Sequence, residues 1–442
     1  MKVLVFAVAL LGAFVAGPVA AQTALTGGTV HVGNGDVIEE GVVVFGADGE
    51  LLAVGGADTA TPAGATLVDV SGSVVTPGFI DVETRLGLVE ISAVDRTRDA
   101  DAGAVDPGPG GADPIRAAFR AVDAFNPRSA VIAVQRSGGI TSVVTTPAGG
   151  LISGQAAFVD LAGARTFATV VEPFAALRIN VGGQGQGSRG TALLRLREVF
   201  DDALFYAANR TRFDENRARS LAASRLDLDA LVLTVQAQKP VTFEVDRAAD
   251  IEAVLRLSSE LGLRPVIVGG AEAWRVADAL AAANVPVIVD ALINLPYNFD
   301  MLGSRLDNAA LLADAGVPVV LSAFDTHNAR SLRFHAGNAV RAGMDHGAAL
   351  QAVTRNAAAA VGMEATHGTL EAGKVANVVV WSGDPFQPRT RVEQLFIGGE
   401  LIDRDNRQRE LFEKYRELSR RAEPAATEAV TTKGGRDVEP ND

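Results

Sequence analysis

The chain has 442 residues, of which 48% are hydrophobic and 21% charged, a globular balance that is long enough for one large domain and a small one. Its net charge of -13 and isoelectric point near 5.0 argue against a nucleic-acid or anionic-membrane partner, because both require a basic surface. The absence of cysteine excludes disulfides, thiolate metal sites and a cysteine nucleophile.

The N-terminus has the pattern of a secretory signal peptide. Lys2 precedes an apolar stretch at residues 3–15, and small residues follow up to Ala21, so we predict cleavage after Ala21. The alternative is a membrane anchor, but the apolar stretch is shorter than the roughly 20 residues of a spanning helix. We expect a secreted chain without a membrane span after cleavage, located in the periplasm if the source is Gram-negative.

After the signal peptide, the sequence divides into five segments with different patterns of residues. Residues 22–75 contain short apolar runs between Gly, Asn and Asp, which predict a meander of strands. Residues 76–368 alternate strand-like and helical stretches, which is the pattern of a (β/α)8 barrel. Strand-like apolar runs occur again at 369–403, so we expect both chain ends to build a small β-sandwich. A charged helix (404–422) and a disordered tail (423–442) complete the prediction.

Three charges stand at alternating positions in the first predicted barrel strand, "FIDVETRLG". Because side chains alternate across a strand, Asp81, Glu83 and Arg85 are predicted to share one face. The strand leads into residues 92–114, a loop rich in Asp, Gly and Pro. In a barrel this loop lies at the C-terminal mouth, either as a lid or as a plain surface insertion.

Three segments resemble the amidohydrolase superfamily, in particular its imidazolonepropionase-like and related secreted branches. They are "GSVVTPGFID", "GTLEAGKVANVVVWSGDPF" and "VEQLFIGGELI". The resemblance implies a (β/α)8 barrel flanked by a small β-sandwich from both chain ends. It also implies hydrolysis of carbon–nitrogen bonds other than peptide bonds, such as those of amides or cyclic amides.

The family binds zinc or another divalent metal at the barrel mouth, mostly through histidines, and uses it to activate water. The resemblance places a His-x-His pair at Glu83 and Arg85, and a fifth-strand histidine at Glu244. The sixth strand offers Gly269 and Gly270. A guanidinium has no free lone pair, so Arg85 is excluded as a ligand. We therefore predict no metal ligands and no metal cofactor.

One expected catalytic residue is retained. Asp325 matches the aspartate that follows the family's eighth strand, which makes it the candidate base; the alternative is a helix-capping or loop residue. His327, two residues later, is a candidate for lining the site. For the other histidines we expect structural roles: His31 in the small β-domain, and His346 and His367 in surface-like helix or loop contexts.

The charges suggest a replacement for the lost metal. If Glu83, Glu244 and Asp325 converge at the mouth, three carboxylates repel one another at short range. Our hypothesis is that the Arg85 guanidinium takes over the electrostatic role of the metal, joined to Glu83 or Glu244 and to Asp325.

Three functions remain open from the sequence. The first is a hydrolase of an amide-like small molecule, with Asp325 as base. The second is a catalytically inactive, metal-free relative that acts as a binding module, as a homodimer or as the partner subunit of an active paralogue. The third is a structural protein of the cell envelope that associates through its charged C-terminal helix.

Overall fold

The structure, a computed structural model, describes residues 22–101, 113–163, 169–182, 188–403 and 405–416. The predicted signal peptide and disordered tail lie outside the described residues, as do residues 102–112 of the 92–114 loop. Of the predicted charged helix, residues 407–416 are described and helical. No described helix is long and apolar enough to cross a membrane.

The described strands fall into two sheets of eight strands each. In chain order they are β1 (Thr23–His31), β2 (Val37–Phe45), β3 (Leu51–Gly55), β4 (Thr66–Asp69), β5 (Val74–Pro77), β6 (Phe79–Thr84), β7 (Ile140–Thr145), β8 (Ile152–Asp160), β9 (Val170–Asn180), β10 (Pro240–Val245), β11 (Arg264–Gly269), β12 (Val287–Val289), β13 (Val319–Leu321), β14 (Val378–Trp381), β15 (Val392–Ile397) and β16 (Glu400–Leu401).

Helices lie mainly between the strands of the second half of the chain. They are α1 (Ala121–Ala124), α2 (Ala130–Arg136), α3 (Arg189–Ala208), α4 (Arg210–Asp214), α5 (Arg225–Gln236), α6 (Ala248–Leu261), α7 (Ala277–Ala282), α8 (Asn308–Asp314), α9 (Leu332–Arg341), α10 (His346–Ala352) and α11 (Arg355–Ala360). The longest, α3, is capped by the Ser188 hydroxyl, which accepts from the Thr191 backbone N–H.

Strands β6 to β13 form a nearly closed barrel in chain order. Its two edge strands, β6 and β13, are joined by hydrogen bonds at their C-terminal ends. The backbone N–H of Glu83 donates to the Ser322 hydroxyl at 3.2 Å, and that of Arg85 donates to the Thr326 hydroxyl at 3.2 Å. The predicted fold class, a TIM-like barrel with a small second sheet, is confirmed.

The barrel departs from a strict (β/α)8 pattern at β8, which runs antiparallel to both β7 and β9. The connection between β7 and β8 has only residues 146–151, whereas a parallel crossover needs roughly a dozen residues or more. Gly149 and Gly150 have φ of 83° and 70° in this turn. Their left-handed backbone makes the short reversal feasible, which explains the glycines of "TTPAGGLISGQ".

Two apolar layers hold the barrel together. The outer layer packs the strands against helices, with Leu196, Val254 and Leu312 fully buried. The inner layer joins residues of non-adjacent strands, and α11 closes its N-terminal end. Burial stabilises each large aliphatic side chain by about 1.5–3 kcal/mol. The inner layer includes Ile80, Val82, Val144, Phe158, Val268, Ile288 and Val320.

The second sheet is built from both ends of the described chain. Strand β5, which directly precedes the barrel, pairs antiparallel with β14, which follows it. A buried polar group fixes this sheet to the barrel: His367 Nε2 lies 3.2 Å from Asp160 Oδ2, and Asn377 Nδ2 donates to Asp160 Oδ1 at 3.0 Å. The surface-like context predicted for His367 is wrong, because only 1% of its side chain is exposed.

Candidate functional site

A guanidinium bridges two carboxylates near the C-terminal ends of the barrel strands. Arg178, close to the end of β9, donates from Nη1 to Glu83 Oε2 and from Nη2 to Glu244 Oε2, each at 2.6 Å. Glu83 lies near the end of β6 and Glu244 near the end of β10. Because parallel strands end on one side of a barrel, this bridge lies at its mouth.

Burial differs sharply within the bridge. The exposed fraction of the side chain is 5% for Arg178 and 9% for Glu83, but 54% for Glu244. Burial raises the pKa of Glu83; the Arg178 guanidinium opposes this rise, and the like charge of Glu244 adds to it. Glu83 and Arg178 therefore form a buried ion pair, with Glu244 as a second, solvent-facing partner.

The structure does not support the hypothesis that Arg85 neutralises the mouth. Arg85 is exposed, and among the described residues no carboxylate lies within ion-pair distance of its guanidinium. Its charge still acts on Glu83 from a distance and favours the ionised carboxylate. The guanidinium that contacts the glutamates is that of Arg178.

A bulge in β6 explains why the three alternating charged side chains do not share one face of the strand. Asp81 and Thr84 pair with Val143 and Thr145, so three steps along β6 match two along β7. Asp81 and Glu83 are buried, whereas Arg85 is exposed. The strict alternation predicted for this strand is broken at the bulge.

Asp81 sits beneath the mouth, completely buried. The Ser322 hydroxyl donates to its Oδ1, and its Oδ2 has no hydrogen-bond partner among the described residues. Burial raises the pKa of Asp81 to about 7, although the Ser322 hydrogen bond and the nearby His335 pull it down. The Asp81 carboxyl therefore titrates near neutral pH.

Asp325 lies beyond the end of β13, at the mouth. Its carboxylate accepts the backbone N–H of His327 at 2.7 Å, the backbone N–H of Asn328 at 3.1 Å and the Asn328 side-chain amide at 3.0 Å. Burial disfavours the ionised form, but these hydrogen bonds outweigh it and lower the pKa of Asp325. The contacts are those of a loop-organising residue, and the lowered pKa makes it a weaker base.

His327 is half-buried and joins two loops of the mouth. Its Nε2 lies 2.8 Å from the backbone carbonyl of Glu90, in the loop that follows β6. Its own carbonyl accepts from the Gln135 side-chain amide at 3.0 Å and from the Arg330 guanidinium at 3.0 Å. These contacts position the loop that carries Asp325.

A further acidic group lies beside Glu244. Asp246, directly after β10, accepts the backbone N–H of Ala271 at 3.2 Å. Burial, together with the negative charges of Glu244, Asp300 and Glu272, raises the pKa of Asp246 to about 6, although the Ala271 hydrogen bond lowers it. Asp246 thus has a pKa suited to exchanging protons near neutral pH.

The donor set at the mouth does not suit the divalent metal that the resemblance implies. A guanidinium occupies the space between the two glutamates, and it repels a cation. At the sixth strand, Gly269 has a φ of 92°, which would strain a histidine, and a Cβ there would lie 2.7 Å from Asp246 Oδ1, so the Asp246 side chain would have to shift. Within the described part of the chain, no three His, Asp or Glu side chains are arranged to hold an ion.

Sequence reasoning placed Glu83, Glu244, Asp325 and His327 near the ends of barrel strands, and the structure finds each of them there. It missed Arg178, the residue that joins the two glutamates. The available signal was an arginine inside the apolar strand "PFAALRIN", where an unpaired charge is costly.

Comparison with known proteins gives one family. A model of the amidohydrolase family matches residues 130–402. Among curated relatives, the amidohydrolase tasK of Hapsidospora irregularis is 23% identical over 399 residues. That match covers 83% of this chain but 39% of the relative, so the chain spans well under half of the relative's length.

Solved structures share the fold. An amidohydrolase from Thermotoga maritima MSB8 has a TM-score of 0.77 at 24% identity, covering 87% of this chain and 100% of that one. The ochratoxinase of A. niger has a TM-score of 0.54 at 18% identity, covering 86% and 95%. The family model spans more than half of the sequence, and the chain therefore belongs to the amidohydrolase family.

Proposed function

We propose that this protein is a metal-free member of the amidohydrolase family that binds an amide-like small molecule at its barrel mouth. The observation that carries the proposal is the Arg178 bridge, in which one guanidinium holds Glu83 and Glu244 at 2.6 Å each. With a fixed cation between its carboxylates, the mouth has no place for a metal ion that would activate water.

The mouth still offers polar groups to a ligand. About half of the Glu244 side chain is exposed, and its carboxylate accepts hydrogen bonds from an amide N–H. Asp246 adds a second carboxyl group, close enough for the charge of Glu244 to raise its pKa. These groups favour a small molecule that presents N–H donors, which is the kind of group an amide or cyclic amide carries.

Asp246 also supports a second candidate function, metal-independent hydrolysis of a carbon–nitrogen bond. A carboxyl group with a pKa of about 6 is suited to act as a general base near neutral pH. In this case Asp246 removes a proton from the attacking water and returns it to the departing nitrogen as the carbon–nitrogen bond breaks, while Glu244 orients the substrate. The Arg178 guanidinium stays in its ion pairs and keeps the carboxylates apart.

One experiment separates the two candidates. The purified protein is incubated with a panel of N-acyl amino acids, cyclic amides and cyclic dipeptides, and both binding and release of product are measured. The binding function predicts saturable heat of binding without turnover, with affinity lowered in Glu244→Gln. Turnover that survives chelation and is lost in Asp246→Asn supports the hydrolase. Turnover that requires an added metal contradicts both.

A further inference from the structure

A cavity of about 760 Å³ opens at the end of the barrel opposite the mouth. It lies where β11, β12 and β13 begin, and it extends to helices α10 and α11. None of the residues of the mouth contributes to it. The cavity is therefore separate from the candidate site described above.

One wall of the cavity is apolar because a proline lies next to the first residue of each of these three strands. Pro265, Pro286 and Pro318 line it, and proline has no backbone N–H to offer. The carbonyl of Pro286 accepts from Ile267 at 2.9 Å, and that of Pro318 accepts from Val287 at 3.1 Å. With these carbonyls already bonded, the wall presents mainly hydrocarbon.

Two arginines, Arg264 and Arg355, also line the cavity. Arg264 is exposed and donates from Nη2 to the backbone carbonyl of Ala359 at 2.8 Å. Arg355, also exposed, lies four residues before Ala359 on α11, so it is on the same helix face one turn away. The hydrogen bond to Ala359 fixes the Arg264 guanidinium against the helix that carries Arg355.

Both guanidiniums have N–H groups that are not used in an ion pair with a described residue. Across the ranges that the structure describes, no carboxylate lies within ion-pair distance of either one. Glu364 is the carboxylate-bearing residue of the cavity lining, and its side chain is exposed. Arg355 also acts on Glu371 at longer range, but Glu371 is already paired with Lys374 at 2.9 Å.

We propose that this cavity, which we call the basal cavity, binds an organic acid. The acid's carboxylate or phosphate group is held by Arg264 and Arg355, and its apolar body lies against the three prolines. A guanidinium fork matches the geometry of such anions. In a chain with a net charge of -13, anions are repelled in general, so this local pair of cations is what selects them.

The test uses 4-phenylbutyrate, phenyl phosphate and the uncharged 4-phenylbutyramide as probes, with binding followed by calorimetry in low-salt buffer. We expect the two anions to bind with one-to-one stoichiometry and the amide not to bind. The relative affinity of phenylbutyrate and phenyl phosphate identifies which anionic group the site prefers. Arg264→Gln and Arg355→Gln are each expected to weaken binding about tenfold, the effect of losing one charge-assisted hydrogen bond.

Matched controls make the result specific. Arg128 is exposed and distant in sequence from the basal cavity, and Arg128→Gln should bind the anions like wild type. Arg355→Gln keeps the Arg264 contact to Ala359, so it tests the site even if Arg264→Gln unfolds. Absence of anion binding, equal binding of the amide, or weakening only by changes at the mouth such as Glu244→Gln would overturn the proposal.

Discussion

Replacing Arg178 by methionine removes the guanidinium from the mouth while keeping most of the hydrocarbon stem of the side chain. It leaves the Glu83 carboxylate, 9% exposed, without its counter-ion. Breaking a buried ion pair by removing one partner costs about 3–5 kcal/mol. The contact to Glu244, whose side chain is 54% exposed, adds about 1 kcal/mol or less. We expect Arg178→Met to lose about 3–5 kcal/mol of unfolding free energy.

Urea denaturation followed by circular dichroism at pH 7 and pH 5 measures this loss. Burial already raises the pKa of Glu83, and removal of Arg178 raises it further. The loss should therefore be smaller at pH 5 than at pH 7, because a lower pH favours the protonated form of Glu83. The double variant Arg178→Met/Glu83→Gln removes the buried charge and should recover most of the loss.

Arg85→Ala is the matched control, since Arg85 is exposed on the neighbouring stretch of the same site. Its unfolding free energy should stay within about 0.5 kcal/mol of wild type. An Arg178→Met variant as stable as wild type would contradict the buried ion pair. So would a failure of Glu83→Gln to rescue it, or an equal loss in Arg85→Ala.

Three further predictions follow from the same structure and sequence. The pKa of Asp81 rises on folding from 3.8 to about 7, so its contribution to stability is full below pH 4 and is lost as the pH rises towards 7. This contribution is about 4 kcal/mol at most. Asp81→Asn should therefore flatten the pH dependence of the urea midpoint. Glu244→Gln should cost about 1 kcal/mol or less in the same assay, because its ion pair is half-exposed. Mass spectrometry of the exported protein should give Gln22 as the first residue; an intact Met1 contradicts the predicted signal peptide.

The fold could be predicted from the sequence because the patterns that indicate it are local. Alternating strand-like and helical stretches and the segments resembling amidohydrolases point to a barrel and a second sheet, and both are present. The reversed strand β8 was not predicted, although the connection at residues 146–151 is too short for a parallel crossover. Counting that connection would have predicted the hairpin.

The candidate site was predicted only in part because its key contact is not local. Glu83 and Arg178 are 95 residues apart, and their contact depends on how β6 and β9 face each other across the barrel. The bulge in β6 also leaves Arg85 exposed, which alternation along a regular strand does not foresee. An arginine within a buried strand indicates that its charge needs a partner, but the sequence does not indicate which carboxylate is that partner.

The central claim, that an arginine and two glutamates stand where the family holds its metal, is tested most directly by metal analysis. The purified protein is equilibrated with zinc and manganese, dialysed and measured by elemental mass spectrometry, beside Glu83→Gln and Glu244→Gln. We expect metal well below one ion per chain in all three proteins. A stoichiometric ion in the wild type that disappears in the two variants would contradict it.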